Sequence, residues 1–447
     1  MTLTEDWDQL TTEEKYEKRF ESFMNPDVDF VSKEVEEKYK KRAKRLKDVV
    51  ELKKPDKIPI VPNMGFYPAQ YAGITAEEAM YDYDKLGKAW KKFNNDFNFD
   101  CLTTTALIGS GPLFETLDFQ LYRWPGNGTK PNTPYQCVEK EYMKPEEYDI
   151  LINDPTGYFM RYYLPRTFGA FEPWKKLSPF TELVELPFVG ANLIPMGMPD
   201  VQESFKKLIE AGDKAMEWIQ AVGAIDGENT AVHGLPANIG GFTKAPFDTL
   251  GDTLRGTKNI MLDLYRRPEK IKEAMDALLP LAIEMGLNSA TANNNPFVFI
   301  PLHKGADSFM SRDQFAEFYW PHLKKLINGL SKEGCVPCLF VEGAYNNRLD
   351  FLEDPELPQG KVYWFFDKTD MVKVKEHLSN KAAFGGNVPA SMLKTSTPDK
   401  VKEYVKNLIE KVAGDGGYML TTGAVIDDAD AENMHAMIEA GNKYGKY

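Results

Sequence analysis

Positive charge is scarce in this sequence. Lys and Arg number 54 against 67 Asp and Glu, a formal net charge of −13. A nucleic acid needs a cationic surface to displace its counterions, so it is excluded as the main ligand. Long hydrophobic runs are also missing, and none reaches the ~18 residues a membrane-spanning helix needs. Met1 to Lys18 is acidic and polar, which argues against a secretory leader. Four cysteines in 447 residues are too few for a disulfide framework, and the chain reads as a resident of the reducing cytoplasm. Histidine is nearly as rare, with five residues, so the positions of the histidines carry weight.

Apolar residues are plentiful. Hydrophobic content is 43% and charged content 27%, enough for a large core. Residues 1–52 are charged and helix-prone, and Val35 to Leu52 reads as a long solvated helix with many Glu/Lys pairs. From residue 53 onward short apolar runs alternate with helical stretches. The expected strands are Ile58–Val61, Thr230–Val232, Phe297–Pro301, Val336–Val341, Val362–Phe366, Ala382–Gly385 and Tyr418–Thr421. Helices are expected between them, among them Ala76–Phe97, Val201–Val222, Pro268–Ala292, Arg312–Lys332 and Pro398–Val412. Such alternation implies a parallel sheet, and the number of units suggests an α/β (β/α)8 TIM barrel over 53–447 with an N-terminal helical extension over 1–52. That extension offers a surface for homodimerisation or docking, or equally a solvated cap. Gly109 to Tyr163 is rich in Pro, Gly, Asn and aromatics and reads as an elaborated loop with a hairpin, walling the active site.

In such a barrel the chemistry sits at the C-terminal tips of the strands. His233 follows Val232, His303 follows Pro301, Glu342 follows Val341, and Asn387 follows Phe384. His233, His303 and Glu342 form a candidate zinc set with an open position. The plain alternative is that each is a hydrogen-bonded polar residue at the start of a loop. His322, His377 and His435 fall in helices and read as structural. Cys335 and Cys338 form a lone CxxC that reads as two small residues at the start of a buried strand rather than a redox pair. Tyr67, Phe114, Tyr122, Trp124, Phe242, Phe309 and Phe366 are candidates for an aromatic pocket. Those beside strand tips, Phe242, Phe309 and Phe366, are the better ones.

Several blocks, in order, resemble the uroporphyrinogen decarboxylase superfamily. They are Lys54 to Ile60, Ile239 to Thr243 with Leu254-Arg255-Gly256 and Leu262 to Glu269, Met310-Ser311 with Phe315, Phe318 and Pro321, Gly385 to Val388, and Gly416 to Tyr418 with Glu432 to Met434. The resemblance covers roughly 45–447 and implies a (β/α)8 barrel. Tetrapyrrole decarboxylases of this family carry an N-terminal Arg-rich segment and an Asp in a later stretch. The corresponding regions here, Pro62 to Tyr67 and Thr104 to Ile108, lack both. Coenzyme M methyltransferases of the family hold zinc through a histidine and two cysteines. The matching positions here are Phe340 for the histidine, with Glu342 in Phe340-Val341-Glu342-Gly343 and Ala424 after Gly423 for the two cysteines. The chain resembles instead the O-demethylase components that pass a methyl group from an aryl methyl ether to the Co(I) of a separate corrinoid protein. That resemblance implies a corrinoid-binding protein as partner, a small methylated aromatic as substrate, and zinc or an acid to activate the ether oxygen. Glu342 is the first candidate for that catalytic role, with Asp307 and Asp428 as alternates. His233 and His303 are the co-ligands by position, and Tyr67, Phe242, Phe309, Phe366 and Asn387 are the substrate-binding candidates. Tetrapyrrole decarboxylation and noncatalytic binding of a corrinoid or aromatic ligand remain the competing readings.

Overall fold

Short continuous apolar runs set the architecture. A computed structural model describes residues 6–414 and 416–447, so Met1–Glu5 of the helical extension lie outside the described residues. Strands β1 (Tyr122–Pro125), β2 (Gly128–Thr129) and β3 (Gln136–Cys137) form a small sheet of their own, within the segment expected to hold a hairpin. The main sheet runs β4 (Gly241–Phe242), β5 (Phe297–Leu302), β6 (Val336–Val341), β7 (Tyr363–Phe366), β8 (Ala383–Gly385) and β9 (Tyr418–Met419) in that order, every pair parallel. Two extended segments carry the circuit from β9 back to β4. Ile60 bridges Leu420 beyond β9, the Asp100 N–H donates to the Ile60 carbonyl at 2.9 Å, and Leu102 bridges Ala237 just ahead of β4. The circuit returns on itself as a (β/α)8 barrel.

Side chains along each strand alternate between interior and helix layer. Phe297, Val336, Cys338, Phe340, Tyr363, Phe365, Ala383 and Met419 pack together inside the barrel. Val298, Ile300, Leu302, Leu339, Val341, Trp364 and Phe366 face the surrounding helices. The N-terminal end of the barrel is stoppered by α1 (Thr12–Met24) and α2 (Lys33–Val50). The rings of Phe20 and Phe23 meet Phe297 at centroid distances of 5.7 and 5.5 Å. The expectation of a solvated helix over 35–52 is therefore corrected. Tyr39, Ala43, Leu46, Val49 and Val50 recur at helical spacing and are buried, so one face of α2 is barrel core and only the other carries the Glu/Lys pairs. Cys335 and Cys338 are free thiols buried in the protein, as the structural reading of the CxxC requires.

Two further helices are joined nearly end to end. Helix α3 (Leu186–Leu193) leads through a short turn into α4 (Pro199–His233), 35 residues long. The expected strand Thr230–Val232 is the last turn of α4. Its Thr and Val suggest a strand, but Gly234 follows in the left-handed conformation (φ 62°) and ends the helix. Among the described residues no helix is long and apolar enough to cross a membrane.

Candidate active site

The inward alternation of β5, β6 and β7 continues past their ends. Two residues beyond Pro301, Phe340 and Phe365 come His303, Glu342 and Asp367, which this register places at the barrel mouth. Beneath them lies a floor of aromatic rings. Phe299 meets Phe340 at 6.2 Å and Phe365 at 5.9 Å, Phe340 stacks on Phe365 at 4.7 Å, and Phe242 reaches Phe299 at 6.2 Å. His303 Nε2 lies 3.4 Å from Glu342 Oε1, and the Gly343 N–H donates to Asp367 Oδ2 at 3.2 Å.

Behind His303 stand two carboxylates on one helical stretch. Asp248 ends the turn Pro246–Asp248, and Asp252 follows four residues later in a π-helical segment, Thr249–Leu254. Widened turns of this kind recur at functional sites because they re-aim one side chain. Asp252 Oδ2 pairs with His303 Nδ1 at 2.5 Å and with Lys244 Nζ at 2.8 Å, while its Oδ1 lies 3.0 Å from Lys304 Nζ. Asp248 is fully buried. It accepts from the His303 N–H at 3.3 Å, the Lys304 N–H at 2.8 Å and the Tyr319 hydroxyl at 2.6 Å. The result is a line Asp252–His303–Glu342 running from the barrel wall to the mouth.

Burial alone would lower the pKa of His303. The hydrogen bonds to Asp252 and Glu342 and the charge of Asp248 outweigh it and raise the pKa to about 10. Burial likewise opposes the ionisation of Asp252, yet His303 and Lys244 hold its pKa well below the usual carboxylate value. Asp248 is shifted up, first by burial and then by the neighbouring Asp252. Asp367 is also shifted up by burial, with Glu342 adding to the effect. At neutral pH His303 is therefore an imidazolium held against the Asp252 carboxylate.

A pH dependence of stability results. The pKa of His303 is about 10 folded against ~6.5 unfolded. Its contribution is fully present below pH ~6.5 and is lost as the pH rises toward about 10. Urea midpoints measured across that window should fall for the wild type and fall less for His303→Gln. Parallel curves would show that this ion pair does not couple to folding.

The structure disperses part of the expected site. His233 caps α4 at the opposite end of the barrel. Its carbonyl accepts from Arg42 of α2, and its side chain borders a polar cavity with Arg45, Lys57 and Asp100. It cannot share a metal with His303. Asp307 is tied to Arg348 (Nε–Oδ1 3.2 Å) and accepts from the Asn347 N–H, so it anchors a loop. Asp428 pairs with Lys394 at 2.7 Å. Asn387 donates to the Asp367 and Thr369 carbonyls and accepts from Tyr404, which leaves its amide committed to the loop after β7. Phe366 faces the helices and Phe365 takes the interior position. Tyr67 is core, packed with Phe93 and Phe97, and Phe309 packs against the outer core below Lys304. Phe242 is the one of that set at the mouth, 42% exposed. Asp248, Asp252 and Lys244 lie off the expected strand tips, and Lys304, at the tip of β5, was not singled out beside its neighbour His303. The signal available for the two carboxylates was their i, i+4 spacing in Phe247-Asp248-Thr249-Leu250-Gly251-Asp252.

A three-residue zinc site does not fit these side chains. Nδ1 of His303 is taken by Asp252, and only Nε2 and Glu342 remain side by side. Among the described residues no three His, Cys, Asp or Glu side chains gather as a ligand set.

Beside the mouth lies a cavity of about 400 Å³ lined by Leu107, Phe114, Tyr122, Trp124, Tyr135 and Trp218. Leu107 also lines the barrel interior, so the two spaces adjoin. Phe114, Tyr122 and Trp124, named from the sequence as pocket candidates, all reach it. Its volume falls in the range of small-molecule sites, and its walls are aromatic. Burial pushes the Tyr122 hydroxyl pKa up to about 12, with the neighbouring Cys137 and Asp252 adding to the effect.

Comparison with known proteins bears on this geometry. The profile of the family described as "Uroporphyrinogen decarboxylase (URO-D)" matches residues 207–444, more than half of the chain. A uroporphyrinogen decarboxylase of Vesicomyosocius okutanii is 21% identical over 178 residues, 37% of this chain and 50% of the relative. One of Protochlamydia amoebophila is 24% identical over 207 residues, 44% of this chain and 52% of the relative. The chain thus spans about half the length of these curated relatives. A solved methyltransferase from Methanosarcina mazei superposes with a TM-score of 0.57 at 18% identity, covering 90% of this chain and 98% of that one. At that identity the likeness is one of fold.

Proposed function

This chain belongs to the uroporphyrinogen decarboxylase family, and on that footing we propose that it is a methyltransferase. It takes the methyl group of a methoxylated aromatic and delivers it to the Co(I) of a separate corrinoid protein. The observation that carries the reading is the Asp252–His303–Glu342 line ending at the mouth beside an aromatic cavity. The corrinoid, carried by the partner, supplies a strong nucleophile. The difficulty lies at the other end of the bond, because a phenolate leaves poorly unless its oxygen is protonated. The methyl carbon gains a bond to cobalt, the C–O bond breaks with its electron pair going to oxygen, and that oxygen takes a proton. His303 and Glu342 share that proton. Glu342 is the half-exposed member of the pair and faces the ether, while His303 holds the proton in reserve against Asp252. A phenol has a pKa near ~10, like the value raised at His303, so the transfer is close to balanced. The aromatic cavity holds the ring by stacking. A cytoplasmic setting suits four free thiols.

Decarboxylation of a tetrapyrrole is the second reading, favoured by the names of the curated relatives. Against it, the carboxyl groups of Glu342 and Asp367 stand at the mouth, and Lys244 and Lys304 behind it are already paired with Asp252. The test is incubation of the purified protein with a methoxylated aromatic and a reduced corrinoid protein. The phenol and methylated cobalt should appear in equal amounts, and uroporphyrinogen should be left intact. Release of CO2 from uroporphyrinogen with no phenol from any methoxylated aromatic would reverse the assignment. Tyr122 lines the cavity and is 39% exposed, so removing its ring should spare the fold. Tyr122→Ala should raise KM for the aromatic about tenfold, the worth of ~1.4 kcal/mol of ring contact, with kcat little changed. An unchanged KM would move the substrate elsewhere.

A further inference from the structure

Positive charge, scarce in a chain of net charge −13, gathers at the end of the barrel away from the mouth. A cavity of about 550 Å³ opens there between α2, residues 94–100 and the end of α4. Lys38, Lys41, Arg42, Arg45 and Lys57 line it together with His233, and among the described residues Asp100 is the one carboxylate in its wall. The five cations share three carboxylates among the described residues. Lys38 pairs with Glu34 at 2.7 Å, Lys41 and Arg45 with Asp56 at 2.9 and 2.7 Å, and Arg45 and Lys57 with Asp100 at 2.6 and 2.9 Å. The side chains of Glu34 and Asp56 stand outside the wall, 76% and 43% exposed, where salt screens them. Arg42 is the cation left over. Its Nη1 donates to the carbonyls of His233 and Gly234 at 2.6 and 2.9 Å and its Nη2 to Asn98 Oδ1 at 3.3 Å, while Asp100 is 3.9 Å from its Nε. Neutral acceptors fix the guanidinium in place and leave its charge uncancelled. His233 adds a second unmet group, because its Nε2 is buried and has no hydrogen-bond partner among the described residues. Burial holds the pKa of Arg42, Lys57 and His233 below their ordinary values, as expected of cations short of a counter-charge.

We propose that this cavity binds a small soluble phosphate compound. A concave wall of one sign concentrates its field on the space it encloses. Lysine and arginine meet phosphate oxygens through charge-assisted hydrogen bonds, and His233 Nε2 supplies a further donor. The volume suits a small molecule. Such a ligand ties α2, the stopper of the barrel, to residues 94–100 and to the end of α4. It acts on the face of the barrel that serves stability and takes no part in the chemistry at the mouth. The groups around His233 are Arg42 from α2, Lys91 from the helix Tyr83–Asp96 and Glu228 from its own helix. A bound anion adds negative charge to that set and favours the imidazolium. Binding therefore takes up a proton and tightens as the pH falls.

Titration calorimetry of the full chain with pyrophosphate and with sulfate, at fixed ionic strength, tests this. One site should fill per chain, pyrophosphate more tightly than sulfate, and pyrophosphate should raise the thermal melt. The side chains of Lys38 and Lys41 are 55% and 65% exposed, so Lys38→Gln with Lys41→Gln should fold normally. That variant should bind pyrophosphate about tenfold more weakly or worse. Sulfate does not titrate near neutrality, so its binding should tighten between about pH 8 and pH ~6 with uptake of a proton that His233→Gln removes. No saturable binding, an affinity unchanged in the lysine variant, or binding to phosphatidylglycerol vesicles without binding to pyrophosphate would each overturn the proposal.

Discussion

Replacing Glu342 with Gln should lower kcat for methyl transfer by about 10²- to 10⁴-fold, the usual worth of a positioned acid. The substitution keeps shape and hydrogen-bonding reach. Glu342 is 46% exposed at its side chain and glutamine keeps a bond to His303 within reach, so folding should change little. The lost property is the ability to pass a proton from His303 to the departing oxygen. His303→Gln should cost a similar factor, and the double variant little more than either single one, because the two act as a unit. The diagnostic measurement varies the leaving group. An aryl ether bearing a nitro group leaves as a weakly basic phenolate and needs little help, so wild type and Glu342→Gln should converge on it. An equal deficit on good and poor leaving groups would remove the acid role from Glu342 and assign it to positioning.

Part of this arrangement was legible in the sequence, and the rest was hidden for physical reasons. Strands β5, β6 and β7 are buried on both faces, so they read as continuous apolar runs, and the residues just past their tips include His303 and Glu342, which the structure brings side by side. The same burial hides which face a residue takes. Phe365 and Phe366 look alike in the sequence, and a shift of one residue exchanges barrel interior for helix layer. His233 was misplaced because a β-branched turn at the end of a long helix mimics a strand, and only the conformation of Gly234 distinguishes them. Ile60 falls in the expected strand Ile58–Val61, whereas Leu102 belongs to a segment too short to show any period, held by a single bridge to the barrel. Asp248 and Asp252 reach the site from a helix, which no rule about strand tips would find.

Asp248 is where the largest loss of stability should appear. It is fully buried, and its two oxygens satisfy three donors: the backbone N–H groups of His303 and Lys304 and the hydroxyl of Tyr319. Asp248→Ala would strand all three away from water. Each buried donor left unpaired costs ~1–3 kcal/mol, and the relief of a buried charge returns part of that, so the net loss should be about 3–5 kcal/mol. Against a typical stability of ~5–15 kcal/mol this is a large share, readable as a drop in the urea midpoint. Asp248→Asn should not rescue it. The His303 and Lys304 N–H groups bond to different oxygens, and an amide would set its own NH2 against one of them. A loss under ~1 kcal/mol for the alanine variant would mean that water enters and replaces the carboxylate. A full loss would show that the backbone carrying His303 is held from behind. The line to Glu342 would then keep its geometry because a buried carboxylate with no part in the chemistry fixes where the imidazole sits.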